Sequence, residues 1–154
     1  MPFFTPSWKP SSWYDRIAEN ATLGLHSLVL LDIKVKEPDL EVLARKGKVV
    51  YEPPRFMTAA QCCGQMLEVE GERGEAVCGG DRLVVGAARV GSSEMSLVAG
   101  TVREIAGVDL GKPLHSVVLV GRKCHDVERE IMRNYAVDRK TFDEAWEKGG
   151  YGKS

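Results

Sequence analysis

The chain has 154 residues, of which 44% are hydrophobic and 28% charged, and its formal net charge is −1. That length suits one domain, or one domain with tails, able to bury a real core. The near-zero charge excludes a global pull towards nucleic acid or an anionic membrane, and no apolar run approaches the roughly 20 residues needed to cross a bilayer.

The opening segment MPFFTPSWKP holds three prolines, two phenylalanines and Trp8. Aromatics this dense should pack against something, yet the prolines prevent a regular element. With no basic n-region and no long apolar h-region, it does not read as a signal peptide. It reads either as an ordered arm or as a linker inside a longer protein. Ser11 or Ser12 can cap a helix over 13–20, with Trp13, Ile17 and Ala21 on one face. Gly24 then breaks the chain. LHSLVLLDIKVKEP follows, and its core Leu28-Val29-Leu30-Leu31 is too short for a helix and does not alternate. It reads as a strand over 25–33 covered on both faces. Asp32 and Lys34 share one side near its outgoing end, where ligands gather in open α/β sheets.

Pro38 opens a helix that Gly47 ends, with Arg45, Lys46 and Lys48 complementing its dipole. This basic cluster lacks interleaved aromatics, so it reads as surface charge rather than a nucleic-acid site. Pro53-Pro54 stiffens YEPPRFMT. Thr58 caps a helix over 59–70 with the stripe Ala59, Cys62, Cys63, Met66 and Leu67. EVEGERGEAVCGGD is a loop. Residues 83–90 form a second apolar strand. MSLVAGTV begins extended and GTVREIAG turns helical. Residues 113–121 form a third strand. HDVEREIMRNYA is an amphipathic helix and TFDEAWEKG a short last one, before a frayed tail, YGKS. Continuous apolar strands alternating with helices predict an α/β (α+β-like) fold with a mixed or parallel β-sheet flanked by helices.

Several chemistries are excluded. There is no GxGxxG after a strand, no phosphate loop, no HExxH and no nucleophile elbow. The cysteines at 62, 63, 78 and 124 lack zinc-knuckle spacing and read as reduced thiols of an intracellular protein. Cys124-His125 reads as a packed thiol beside a surface imidazole, with no metal. The acidic pairs Glu68/Glu70 and Asp126/Glu128/Glu130 read as solvated faces. His115 stands out because Pro113 fixes the backbone just before it, holding main-chain groups where a ligand could meet them.

Five segments, in this order and spacing, resemble a known family: GLHSLVLLDIKVKEP, YEPPRFMT, ARVGS, VAGTVREI and DLGKPLHSVVLVG. They are similar to the C-terminal half of diphthine synthase, of the eukaryotic type. This family comprises S-adenosylmethionine-dependent methyltransferases of diphthamide biosynthesis with a tetrapyrrole-methylase-like fold. The likeness covers roughly residues 2–135. It implies that residues 1–10 are the end of an N-terminal domain and linker, 11–135 the C-terminal methyltransferase domain, and 136–154 a short helix and tail. It also implies a fragment lacking the N-terminal domain, inactive or weak alone.

The resemblance carries over three cofactor-contacting positions, Leu31 in LLDIK, Val90 in ARVG and His115 in PLHS. No catalytic residue and no metal are carried over. The implied cofactor is S-adenosyl-L-methionine, leaving as S-adenosyl-L-homocysteine. The implied protein substrate is elongation factor 2, whose modified histidine accepts the methyl group, with Asp32 and Lys34 bordering the cleft. A cytoplasmic homodimer with no nucleic-acid or membrane partner is also implied. The alternative is a stand-alone binding or regulatory module that keeps the fold without the chemistry.

Overall fold

Local sequence sets most element boundaries. In the computed structural model, which describes residues 1–153, Thr58 and Gln61 form a reciprocal capping box at the start of a helix. Thr101 and Glu104 do the same for a single helical turn. In chain order the elements are α1 (Ser12–Leu23), β1 (Ser27–Leu30), β2 (Ile33–Lys34), α2 (Leu40–Lys46), β3 (Arg55–Phe56) and α3 (Ala59–Arg73). They continue with β4 (Leu83–Ala88), β5 (Ser96–Thr101), α4 (Val102–Ile105), β6 (His115–Leu119), α5 (Asp126–Asn134) and α6 (Arg139–Gly149).

Four strands form one sheet in the order β1-β6-β4-β5, and β2 pairs with β3 in a small second sheet. The α+β-like class holds, but every ladder is antiparallel, which corrects the expectation of mixed or parallel pairing. The misleading signal is β1. Its burial alternates, with Ser27 and Val29 inward and Leu28 and Leu30 outward at 63% and 71% exposure. Leucines on the open face hide the period-2 alternation that marks a half-exposed antiparallel strand.

The main core lies on one face of the sheet. Val29, Val84, Val117 and Leu119 meet Tyr14 and Ile17 of α1, Cys62, Cys63 and Met66 of α3, and Val102 and Ile105 of α4. On α1 the buried positions are Tyr14 and Ile17, a face rotated by one residue from the one expected through Trp13. On α3 Val69 replaces Leu67 among the fully buried positions. The opposite face is covered at the β4–β5 side by α6, where Phe142, Ala145, Trp146 and Tyr151 close on Leu83 and Ala99. The tail is therefore not frayed at Tyr151, which is buried and accepts the backbone N–H of Leu83 at 3.0 Å through its hydroxyl. Close approach matters once here: a Cβ on Gly121 would lie 2.3 Å from the backbone of Leu25, so the exit of β6 requires glycine there.

The N-terminal arm is fastened at several points. Asp32 N–H donates to Met1 O at 3.1 Å, and Met1 N donates to Leu30 O at 2.6 Å, the spacing of a parallel bridge beside Leu31. Gln65 of α3 accepts from Phe4 N–H and donates to Pro2 O, and Lys9 pairs with Glu68.

All four cysteines are unpaired and buried. Burial pushes the Cys63 and Cys78 thiols up to about 12.

Glu70 is not the solvated acid expected from sequence. Its carboxylate accepts from the Tyr14 hydroxyl at 2.8 Å, Cys78 N–H at 2.7 Å and Ala76 N–H at 2.6 Å. Burial pushes its pKa up, but these donors outweigh that and hold it below the ordinary value. A depressed folded-state pKa stabilises the protein above the unfolded carboxylate value of about 4.3, and this is lost as pH falls through that range. Glu70→Gln should therefore lower stability near neutrality by about 1–3 kcal/mol and flatten the acid limb of the stability–pH curve. Urea denaturation at stepped pH measures both, and parallel wild-type and variant curves would show that Glu70 holds no such bonds.

Candidate functional site

A cleft lies where β1 and β4 end and β6 begins. Its volume is about 760 Å³, and its apolar wall includes Leu30, Leu31, Ile33, Val90, Pro113 and Leu114. Leu31, Val90 and His115 all line it, so the structure brings together the three positions singled out in the sequence. Antiparallel pairing is the reason. Ala88 lies opposite His115, and Leu30 opposite Ser116, so the residues just past β1 and β4 converge on the start of β6.

His115 sits at this junction with both ring nitrogens committed to backbone. Ala59 N–H, the first residue of α3, donates to Nδ1 at 3.2 Å. Nε2 lies 3.0 Å from both Gly111 O and Lys112 O. The acceptor role of Nδ1 assigns the ring proton to Nε2, which donates to the two carbonyls. The imidazole therefore ties the start of α3 to loop 111–114, and its side chain is a positioning element of the cleft wall. Leu31 is half-buried against the core, whereas Val90 is exposed at the rim.

Sequence reasoning missed Arg89. It adopts the left-handed conformation, with φ of 53°, directly after β4. A non-glycine residue held there is strained unless its surroundings fix it. They do so here: its guanidinium donates to Glu94 O at 2.9 Å, to Leu110 O at 2.9 Å, and to Lys112 O. Its own N–H donates to Leu114 O at 2.8 Å. Arg89 thus laces the β4–β5 turn to the loop before β6 and shapes two sides of the cleft. The only sequence signal was an arginine after an apolar run.

Asp32 and Lys34 do not line the cleft. Asp32 accepts the N–H of Phe3 at 3.0 Å, and Lys34 pairs with Glu37 at 3.3 Å. Both charges are engaged locally, one in holding the N-terminal arm. The cleft wall they were expected to border is correspondingly apolar.

Metal-ligating residue types converge once among the described residues, at His26, Cys124 and Glu128. Gly121 N–H donates to His26 Nδ1 at 3.0 Å, so Nε2 carries the proton and faces Glu128 at 3.3 Å and Cys124 Sγ at 3.9 Å. A metal-binding histidine has the reverse polarity, with its second nitrogen donating. The trio is a hydrogen-bonded network joining the start of β1 to α5. His125 instead caps α5, its Nδ1 accepting from Val127 N–H.

No protein-family model matches the chain. Curated relatives do. The chain is 62% identical over 154 residues to a diphthine methyl ester synthase of Emericella nidulans, covering 100% of this chain and 54% of that protein. It is 60% identical over 152 residues to one of Aspergillus fumigatus, covering 99% and 53%. The crystal structure of a protein described as a diphthine synthase from Entamoeba histolytica aligns with a TM-score of 0.77 at 36% identity, over 90% of this chain and 49% of that one. The similarity extends past residue 135 to the end of the chain, further than the motifs alone indicated. The chain spans about half the length of the curated relatives it matches.

Arg89→Ala removes the guanidinium that donates to the carbonyls of Glu94, Leu110 and Lys112. It should cost about 2–3 kcal/mol in urea denaturation, and amide exchange in 111–114 should accelerate. Unchanged protection in that loop would contradict the lacing role.

Proposed function

We propose that this chain, homologous from end to end to about half of a diphthine synthase, is the C-terminal half of an S-adenosylmethionine-dependent methyltransferase that modifies elongation factor 2 in diphthamide biosynthesis. The convergence of Leu31, Val90 and His115 on one cleft carries this reading. The cleft's volume falls within the range of small-molecule sites, and its lining is predominantly apolar with Ser92, Glu94, His115 and Ser116 among its polar members, which suits an adenosine and a thioether chain.

When bound, the cofactor supplies an electrophilic methyl group on sulfur. The relatives' name specifies a methyl ester, and a carboxylate oxygen that takes a methyl group is already ionised at neutral pH. No general base is then needed. His115 has both nitrogens on backbone, and the Arg89 guanidinium is bonded to carbonyls. Glu94 is drawn 3.6 Å from Lys112. The residues of this chain bind, orient and exclude water, which is the main requirement for an in-line displacement.

We also propose a cytoplasmic homodimer. Four reduced, buried thiols suit a reducing compartment. The exposed Leu28, Leu30, Val127 and Ile131 offer apolar surface for association.

The test joins this chain to the other half found in its relatives and follows methyl transfer from S-adenosylmethionine to elongation factor 2 carrying the unmethylated precursor. Val90 is exposed, so Val90→Arg should leave the fold intact while blocking the cleft, and transfer should fall by about a hundredfold or more. A Val90→Arg protein with undiminished transfer would remove the cleft from the proposal.

A further inference from the structure

A second concavity lies at the opposite end of the sheet. β4 ends beside the cleft described above and begins, after the loop Cys78–Asp81, beside this one. Its volume is about 300 Å³. Arg82, Arg103, Arg122 and Lys148 line it together with a single carboxylate, Asp81. Four cations against one acid is an unusual concentration in a chain of formal net charge −1.

The charges are not consumed by the fold. Elsewhere Arg16, Arg55, Arg73, Arg129 and Arg133 each sit within 4 Å of a carboxylate. Among the described residues, Arg82, Arg103 and Arg122 have no such partner, and Asp81 is occupied by Lys148 at 2.6 Å. Arg82 donates from Nη2 to Val120 O at 3.1 Å, while its Nε is buried with no hydrogen-bond partner. A buried donor left unpaired is costly and calls for an acceptor.

The loop is cut to fit these side chains. A Cβ on Gly80 would lie 2.4 Å from Arg103 Nη2, so glycine lets that guanidinium lie flat against the loop. Arg103 N–H donates to Gly80 O at 3.1 Å and Val102 N–H to Arg82 O at 2.8 Å, which fixes the two arginine backbones relative to each other. The floor is the buried ring of Tyr151, with Arg82 Cζ 5.9 Å from its centroid.

We propose that this cavity is an oxyanion site for the phosphate group of a small ligand, best filled by a diphosphate. Guanidinium forks match phosphate oxygens in pairs, and several converging cations favour a multiply charged anion over a single carboxylate. The concave shape favours a small ligand over a nucleic-acid strand. A strand would also need exposed aromatics for base stacking, and the aromatic here is buried.

The probes are sodium pyrophosphate, orthophosphate and acetate, titrated into the 154-residue chain at low ionic strength by calorimetry and amide NMR. Pyrophosphate should bind saturably at one site, moving the signals of Gly80 and Tyr151, with orthophosphate weaker, acetate weakest, and all weakened by added salt. Arg103 and Arg122 are exposed, so the double variant Arg103→Gln/Arg122→Gln should keep its circular dichroism while losing about tenfold or more in affinity. Asp81→Asn removes the opposing charge, releases Lys148, and should tighten binding. The proposal is overturned if pyrophosphate does not saturate, if its shifts map elsewhere, or if the double variant binds like wild type. It is also overturned if an oligonucleotide displaces pyrophosphate with a footprint extending beyond the cavity.

Discussion

The imidazole of His115 is the contact on which the cleft depends. One nitrogen accepts from the first N–H of α3, and the other donates to two carbonyls of the loop before β6. The N-terminal N–H groups of a helix have no partner within the helix, so a buried acceptor at that position satisfies a donor that would otherwise cost about 1–3 kcal/mol. The same ring fixes loop 111–114, and that loop supplies two of the carbonyls that hold Arg89, Lys112 O for its guanidinium and Leu114 O for its N–H. Arg89 in turn holds the turn that carries Val90. A single buried side chain therefore sets the relation between helix, loop and turn, and the cleft is the space left between them.

The two ends of the sheet differ in how they handle charge. At the cleft end, the charges near the wall are bound locally: Asp32 to Phe3, Lys34 to Glu37, and Arg89 to backbone carbonyls. What remains facing the space is mostly aliphatic. At the other end, three arginines lack carboxylate partners among the described residues and surround a glycine loop. Because β4 runs between them, the two concavities are separated by the strand's length and by the core beneath it.

Some of this was legible in the sequence. Short-range signals were reliable: the Thr58 cap of α3, the glycine after α2 and the three apolar strands all lie within a few residues of the elements they define. Long-range satisfaction was not. Glu70 looked like surface charge because its partner Tyr14 is 56 positions away, and Tyr151 looked like a loose end because Leu83 is 68 positions away. The pairing direction was misread at β1 because its open face carries leucines, Leu28 and Leu30, on either side of the buried Val29. Leu31, Val90 and His115 came from family resemblance, since nothing in their spacing says that they meet. Arg89 could not be found that way either, because its role follows from a left-handed backbone and from carbonyls 21 and 23 residues distant.

The leucines of β1 bear on the cleft itself. A strand face open to water is served as well by Thr or Val, and sheet preference alone does not select Leu at 28 and 30. Burying either fully would contribute about 1.5–3 kcal/mol that this chain does not collect. The opposite side of the same face is finished by Phe142, Ala145 and Trp146 from α6, so the incompleteness is confined to the β1 side. Leu30 belongs both to that bare strip and to the cleft wall. A surface laid over Leu28 must also reach Leu30, and covering the open face and narrowing the cleft are then the same physical event.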